Sequence, residues 1–229
     1  MDLVPVRPRL HMLRFPIGQA YLWRDDTGEL TLVDAGHKDA AGEIEDAIRS
    51  LSYDPADLTR IVLTHCHRDH VGAAQELADR HGAEIVAHRL DAPAIRGEQP
   101  VPEPVLLDWE VPLYEHGLTV PPAPPTRVDR EVEDGDPLGF GGAVAVHSPG
   151  HTPGSLSVHL PRHGVLFTGD CVATLGQVML GVFNTDRAEA IATFRRLAAL
   201  APSTVCVGHG DPLTVDAAAI LGKVAAETV

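Results

Sequence analysis

Residues 65–70 run His65-Cys66-His67-Arg68-Asp69-His70, three imidazoles and a carboxylate within six positions. Neutral imidazole and ionised carboxylate are the groups that hold divalent transition metals. Packed together with no cation, four such groups would crowd like charges and unpaired donors at one point. The preceding run, Ile61-Val62-Leu63-Thr64, is β-branched and apolar, as in a buried strand. The following run, Val71 to Ala78, has the composition of a helix start. The cluster therefore belongs on a strand-to-helix turn. His65 and His67, two apart, share one face of an extended segment. Asp69 and His70 follow where the chain bends, so they reach a second point nearby. That is a frame for two metal ions rather than one.

Three further residues share a signature: a polar ligand type at the end of an apolar strand, flanked by glycine or proline. They are His151 in Ser148-Pro149-Gly150-His151-Thr152-Pro153-Gly154, Asp170 after Val165-Leu166-Phe167-Thr168-Gly169, and His209 after Thr204-Val205-Cys206-Val207-Gly208. Each is weak alone. Following the histidine cluster in this order, they form a strong set. The three cysteines are too few and too dispersed for a disulfide framework. Cys66 and Cys171 adjoin candidate ligands, but alternation along an extended chain points them away, into packing. Cys206 alternates within its strand as a small core residue.

The elements that must position these groups follow from periodicity. Residues 10–34 predict three short strands, with Asp25-Asp26-Thr27-Gly28 as a hairpin turn. Ala40 to Leu51 has helical spacing in Ile44, Ala47, Ile48 and Leu51. Strand, helix and strand follow at 61–64, 72–81 and 84–87. Residues 91–126 carry nine prolines; they predict a long stiff loop that serves as a lid or pocket wall, within which Trp109 and Tyr114 are candidate pocket residues. His37, just beyond Val33-Asp34-Ala35-Gly36, is a third. Strands are expected at 127–132, 143–147, 156–160 and 165–168. A helix at 186–200 carries Asp186 and Glu189 as a capping box. A strand at 204–208 and an alanine-rich helix from about 214 close the chain. Both halves run from strands into helices, so two sheets face to face with helices outside would bury every apolar stripe.

At 229 residues, with 44% hydrophobic and 22% charged residues, the chain fits one globular domain, 1–229. The net charge of −14 and only two lysines exclude a phosphate-backbone partner, so no nucleic acid is expected. No apolar run approaches the ~20 residues of a membrane span, and the first residues lack a signal-peptide pattern. A cytoplasmic protein is the expectation. The sequence leaves monomer and homodimer undecided.

The order Asp34, H-x-H-x-D-H, His151, Asp170, His209 resembles the metallo-β-lactamase superfamily, across roughly residues 12 to 212. In spelling it is most similar to the glyoxalase II-like hydrolases. The resemblance implies an α+β fold, a four-layer αββα sandwich with the metal site at one edge of the two sheets. It implies that His65, His67 and His151 hold one ion, that Asp69, His70 and His209 hold a second, and that Asp170 bridges both. Asp34 would orient the site without ligating it. The cofactors would be two divalent ions, zinc first, with iron or manganese also suited. Two such ions ~3.5–4 Å apart lower the pKa of a shared water to near neutrality and give a bridging hydroxide. Asp69 and Asp170 would be its catalytic carboxylates, and no serine or cysteine nucleophile is needed.

The expected activity is hydrolysis of a carboxylic thioester, ester or lactone, with a small-molecule acyl substrate as partner. Only 20 residues follow His209, so the helical extension that grips glutathione in glyoxalase II is expected to be missing. Within these 229 residues no flavodoxin-like module of the flavin-linked diiron branch is expected, and the charge argues against the nuclease branches. Three alternatives stand beside hydrolysis of a simple acyl compound: a β-lactam hydrolase, a mononuclear-iron persulfide dioxygenase, and a non-catalytic metal-stabilised binding protein. Persulfide dioxygenases use one iron on two histidines and one aspartate, so a complete second ligand set argues for hydrolysis.

Overall fold

The computed structural model describes all 229 residues, Met1–Val229. It is a mixed α+β fold with two sheets, seven-stranded and five-stranded. The chain divides into two compact units, Met1–Val101 with Leu118–Glu131, and Pro102–Gly117 with Val132–Val229.

In the first unit an antiparallel meander, β1 (Asp2–Arg7), β2 (Leu10–Arg14), β3 (Gln19–Arg24) and β4 (Leu30–Val33), turns parallel at β5 (Leu58–Val62) and β6 (Glu84–His88), with β7 (Arg130–Val132) at the far edge. Helix α1 (Ala41–Ser50) makes the crossover from β4 to β5. Helices α2 (Arg68–Val71) and α3 (Ala74–His81) make the one from β5 to β6. In register, Leu32 lies beside Ile61 and Ile61 beside Ile85. Their side chains share a core with Ile44 and Ile48 of α1 and Leu77 of α3. Gly82 ends α3 at φ 73°, the left-handed position that favours glycine after a helix.

Strand β1 lies outside the sequence expectation because Pro5 argues against a strand; it is tolerated on an edge, where one side of the strand has no partner. The proline-rich segment is not loop throughout. It holds α4 (Ala92–Ile95) in this unit, with Pro93 in the first turn, where a missing N–H costs nothing.

Glu45 ties α1 to α3. It accepts from Arg80 at 2.9 Å, from His81 at 2.9 Å and from Arg49 at 3.2 Å. Burial pushes its carboxyl up, but the hydrogen bonds from Arg80, His81 and Arg49 outweigh that and hold its pKa at about 2.

The second unit holds the other short helix of the proline-rich segment, α5 (Val111–Gly117), and the strands β8 (Val144–His147), β9 (Leu156–Leu160), β10 (Val165–Thr174), β11 (Val178–Leu180) and β12 (Thr204–Gly210). The order is β11-β10-β9-β8, with β12 parallel to β10. Helices α6 (Arg187–Ala199) and α7 (Ala217–Glu227) cover it, with Phe194, Leu197 and Leu221 packed on Leu166, Val172 and Val205. Asp186 caps α6 through Glu189 N at 2.9 Å. Strand β10 runs well past the expected 165–168. Its register against β12 slips between Phe167 and Gly169 and again between Gly169 and Ala173. Such bulges re-aim side chains, and Asp170 sits inside the second slip. No helix is long and apolar enough to cross a membrane.

Candidate metal centre

In the first unit the ligand-type residues stand beyond the carboxyl ends of two adjacent parallel strands, β4 and β5, where loops of α/β sheets present functional groups. Asp34 follows β4 with φ 61°, left-handed for a non-glycine residue. Only 3% exposed, it is nonetheless fully engaged. Thr64 N donates to Oδ1 at 2.7 Å, Thr64 Oγ1 to Oδ2 at 2.8 Å, and His70 Nδ1 to Oδ2 at 2.9 Å. Since the Thr64 hydroxyl proton goes to Asp34, its oxygen accepts from His65 Nδ1, 3.0 Å away. One carboxylate thus assigns the tautomer of two histidines, leaving Nε2 of His65 and of His70 with an inward lone pair.

Those inner nitrogens face the other candidate ligands. His70 Nε2 lies 3.5 Å from Asp69 Oδ2, and His65 Nε2 lies 3.1 Å from His67 Nδ1. Backbone packing keeps the group tight. A Cβ on Gly18 would come within 3.0 Å of Asp69, and one on Gly72 within 2.2 Å of the His37 carbonyl carbon. Asp91 Oδ2 accepts from Cys66 N at 2.9 Å and so fixes the backbone between the two leading histidines.

The second unit carries the other three. His151 Nδ1 donates to the Val182 carbonyl at 2.9 Å, which again leaves Nε2 as the acceptor, 3.6 Å from Asp170 Oδ2. His209 Nε2 approaches the same Asp170 oxygen at 3.2 Å. Asp170 therefore serves two histidines in this unit, as Asp34 does in the first, but with its face turned to their inner nitrogens.

These donor sets fit a bound cation. With the outer ring protons committed to Asp34, Thr64 and Val182, the inner nitrogens of His70 and His151 set a lone pair against a carboxylate, and a divalent ion there would turn that opposition into coordination. His65, His67, Asp69 and His70 in one unit, and His151, Asp170 and His209 in the other, are the residues that would hold it. Both neighbouring thiols are buried. Burial, then the Asp91 carboxylate, pushes Cys66 well above the ordinary thiol range. Burial, then Asp170, pushes Cys171 up to about 12. Both are neutral core residues, and Cys171 Sγ donates to the Ser148 carbonyl at 3.3 Å.

The candidate pocket residues are placed differently. His37 stacks edge-on to Phe15 with 5.3 Å between rings, and its Nδ1 accepts from Asp39 N at 3.3 Å. Tyr114 packs on Phe183 at 5.3 Å. Trp109, 50% exposed, lines a cavity of about 340 Å³ with Met179, Leu180, Val182, Arg187 and Val224. Sequence reasoning missed Thr64, Asp91 and the Val182 carbonyl. A threonine at a strand end and a backbone oxygen carry no local signal. Asp91 shows only as an acid soon after His88.

Residues 13–209 match the family described as the metallo-beta-lactamase superfamily, and the chain belongs to that superfamily. Within it the chain is a metal-dependent hydrolase, in keeping with relatives named probable metallo-hydrolase and hydroxyacylglutathione hydrolase. The hydroxyacylglutathione hydrolase of Fuscovulum blasticum is 32% identical over 199 residues, which cover 83% of this chain and 61% of that protein. The probable metallo-hydrolase YflN of Bacillus subtilis (strain 168) is 27% identical over 228 residues, 90% of this chain and 85% of that one. Among solved structures, TTHA1623 in a di-iron-bound form has a TM-score of 0.67 at 27% identity, covering 94% of this chain and 96% of its own. A metallo-beta-lactamase mutant from Cronobacter sakazakii reaches a TM-score of 0.75 at 21% identity, covering 100% and 92%. The latter shows the fold alone, and it is the fold the sequence implied.

Proposed function

We propose that the two half-sites work as one dinuclear centre that hydrolyses a carboxylic thioester, ester or lactone. His65, His67 and His151 would serve one ion, Asp69, His70 and His209 the other, and Asp170 both. The observation that carries this reading is the doubled pairing of an inward imidazole nitrogen with a carboxylate. His70 faces Asp69 in one unit, and His151 and His209 face Asp170 in the other. Three imidazoles with a carboxylate suit zinc, and the di-iron form of TTHA1623 supports iron as the second choice.

Bound there, a pair of divalent cations supplies Lewis acidity that lowers the pKa of water and polarises a carbonyl. The chain's own residues supply the rest. Asp34 holds the His65 and His70 rings in one tautomer, so their inner nitrogens need no reorganisation. Asp69 would supply a carboxylate able to take the proton of an attacking water. Cys66 and Cys171 are buried in the core, and water would be the attacking group. The substrate class rests on the hydroxyacylglutathione hydrolase relatives, of which this chain spans about three fifths. A free acyl thioester is preferred over a β-lactam on that ground. Three cysteines free of disulfides suit a reducing compartment such as the cytoplasm.

The test is a hydrolysis screen on metal-quantified protein against thioesters, lactones and β-lactams. The expected result is close to two transition-metal ions per chain and turnover of a thioester or lactone that chelation abolishes. Full activity at one ion per chain, or two ions with no hydrolysis of any of the three classes, would sink the proposal.

A further inference from the structure

In the second unit His151 and Asp170 rest against one short turn, residues 181–186. The Val182 carbonyl accepts from His151 Nδ1 at 2.9 Å. Thr185 N donates to the His151 carbonyl at 3.2 Å, Asp186 N to the Gly150 carbonyl at 3.0 Å, and Thr185 Oγ1 to that same carbonyl at 3.1 Å. On the Asp170 side, Gly181 N donates to the Cys171 carbonyl at 3.1 Å. A Cβ on Gly181 would lie 1.6 Å from the Asp170 carbonyl oxygen, so the turn is pressed on that backbone. Yet the turn is not relaxed. Phe183 stands at φ 60°, a left-handed conformation that a bulky L residue keeps only when its surroundings impose it.

What imposes it comes from the proline-rich segment. Glu110, 2% exposed, places its carboxylate between the segment and the turn. Oε2 accepts from Leu107 N at 2.9 Å and Oε1 from Phe183 N at 3.4 Å. Two more contacts join the same pieces. Val105 N donates to the Asn184 carbonyl at 2.9 Å, and the Tyr114 ring stands edge-on to Phe183, 5.3 Å away at 67°. Both Glu110 oxygens meet backbone N–H groups. A glutamine there would oppose one of them with its own N–H, and an alanine would leave both without an acceptor.

We propose that Glu110 is a positioning residue of the metal centre. Through Phe183 and Val182 it holds the carbonyl that fixes the tautomer and orientation of His151. This rests on the dinuclear reading above, in which His151 is a ligand. It gives residues 105–114 a definite task, to splint the turn behind two ligands, which a flexible loop of the same length would not perform. Outer partners of a ligand histidine act on metal affinity as well as on turnover, so the two roles open to Glu110, splinting the site or merely holding the fold, part company in metal binding.

The experiment uses the full chain, stripped with a chelator and titrated with Co²⁺ alone, followed by visible absorption, with thermal unfolding of the metal-free protein alongside. Wild type is expected to take two ions. Glu110→Ala should bind one of the two about 10-fold more weakly, with a changed cobalt spectrum for that ion, and Glu110→Gln should fall between. Glu115→Gln, exposed on the same segment, should match wild type. Should Glu110→Ala fail to fold, Glu110→Gln and Tyr114→Leu carry the test, because both loosen the same turn and must weaken the same ion. Folded variants that bind both ions with wild-type affinity and spectrum would overturn the proposal, whatever their thermal stability. If wild type itself binds fewer than two ions, the dinuclear reading fails first and takes the role of Glu110 with it.

Discussion

The two half-sites orient their histidines by different means. In the first unit a buried side chain does it: Asp34 reaches His70 directly and His65 through the Thr64 hydroxyl. In the second, a backbone oxygen does it: the Val182 carbonyl receives His151 Nδ1, and the turn that carries it is left-handed at Phe183. A side-chain partner can be deleted by mutation but sits on a rigid strand end. A backbone partner cannot be deleted, but it is only as well placed as the turn beneath it. The first unit therefore concentrates its precision in one residue, whereas the second spreads it over a turn and whatever braces that turn.

The largest effect is expected at the carboxylate that serves two histidines. Asp170→Asn keeps the shape and removes the charge that both His151 and His209 face, and it can set an N–H against the His151 Nε2 lone pair. Turnover should fall at least ~100-fold, with one ion lost before the other. Metal analysis and steady-state kinetics on the same preparation check it. Two ions and a near-normal rate would show that Asp170 is not shared.

Next in size comes a pair that separates the two means of orientation. Asp34→Asn places an amide against Thr64 and His70 and disturbs both tautomers, so metal affinity should drop about 10–100-fold. Val182→Ala alters only the side chain and leaves the carbonyl on His151, so affinity should change little. Titration of metal into stripped protein reads both. A Val182→Ala loss as large as that of Asp34→Asn would erase the distinction between side-chain and backbone orientation.

How much of this could be seen beforehand follows the same division. The candidate ligands of the first unit are legible as a cluster because they sit on one turn, and their spacing alone brings them together. The second unit is legible only as three separate ligand types after apolar strands. Its geometry depends on bulges in β10, for which Gly169 is the sole local hint, and on Glu110, whose partner Phe183 lies 73 positions away. Most strands and helices emerged within a few residues of their expected bounds, since alternation and helical spacing are local properties. Beyond the short β11 and the far end of β10, which carry too few alternating residues to show, the failures involve proline. Pro5 hid an edge strand, and prolines in first turns hid α4 and α5, because a missing N–H is harmless at both kinds of position.

Away from the ligands, Glu45 tests whether the first unit's rigidity has a separate source. Its folded pKa of about 2 lies below the ordinary 4.5. The stabilisation is therefore complete above pH ~4.5 and is lost as pH falls from there towards 2. Glu45→Gln should lower stability at neutral pH by about 1–3 kcal/mol, the scale of hydrogen bonds to a charged group. The gap to wild type should close across that acid window. Denaturant unfolding at pH 7, 4 and 3 measures it, and a gap that is constant with pH would remove Glu45 as the cause. Metal affinity should be unchanged, since α1 and α3 reach the ligands only through the core.

The smallest effect is expected at the two cysteines, which adjoin ligands in both halves. A thiol must become a thiolate to bind a metal. Cys66 is held far from that state by burial and by Asp91, and Cys171 by burial and by Asp170. Each is also committed elsewhere, Cys66 to the core beneath α1 and α3 and Cys171 to the Ser148 carbonyl. Cys66→Ala and Cys171→Ala should keep two ions and change turnover by no more than roughly twofold, with only the modest stability loss of a small core truncation. Cobalt-loaded wild type should show no sulfur-to-metal charge-transfer band. The measurement decides whether the halves are chemically alike, with nitrogen and oxygen donors throughout, or whether one of them carries sulfur. If Cys66→Ala dropped to one ion, the first half-site would be a thiolate site, and the two halves would differ in ligand chemistry rather than in how their histidines are held.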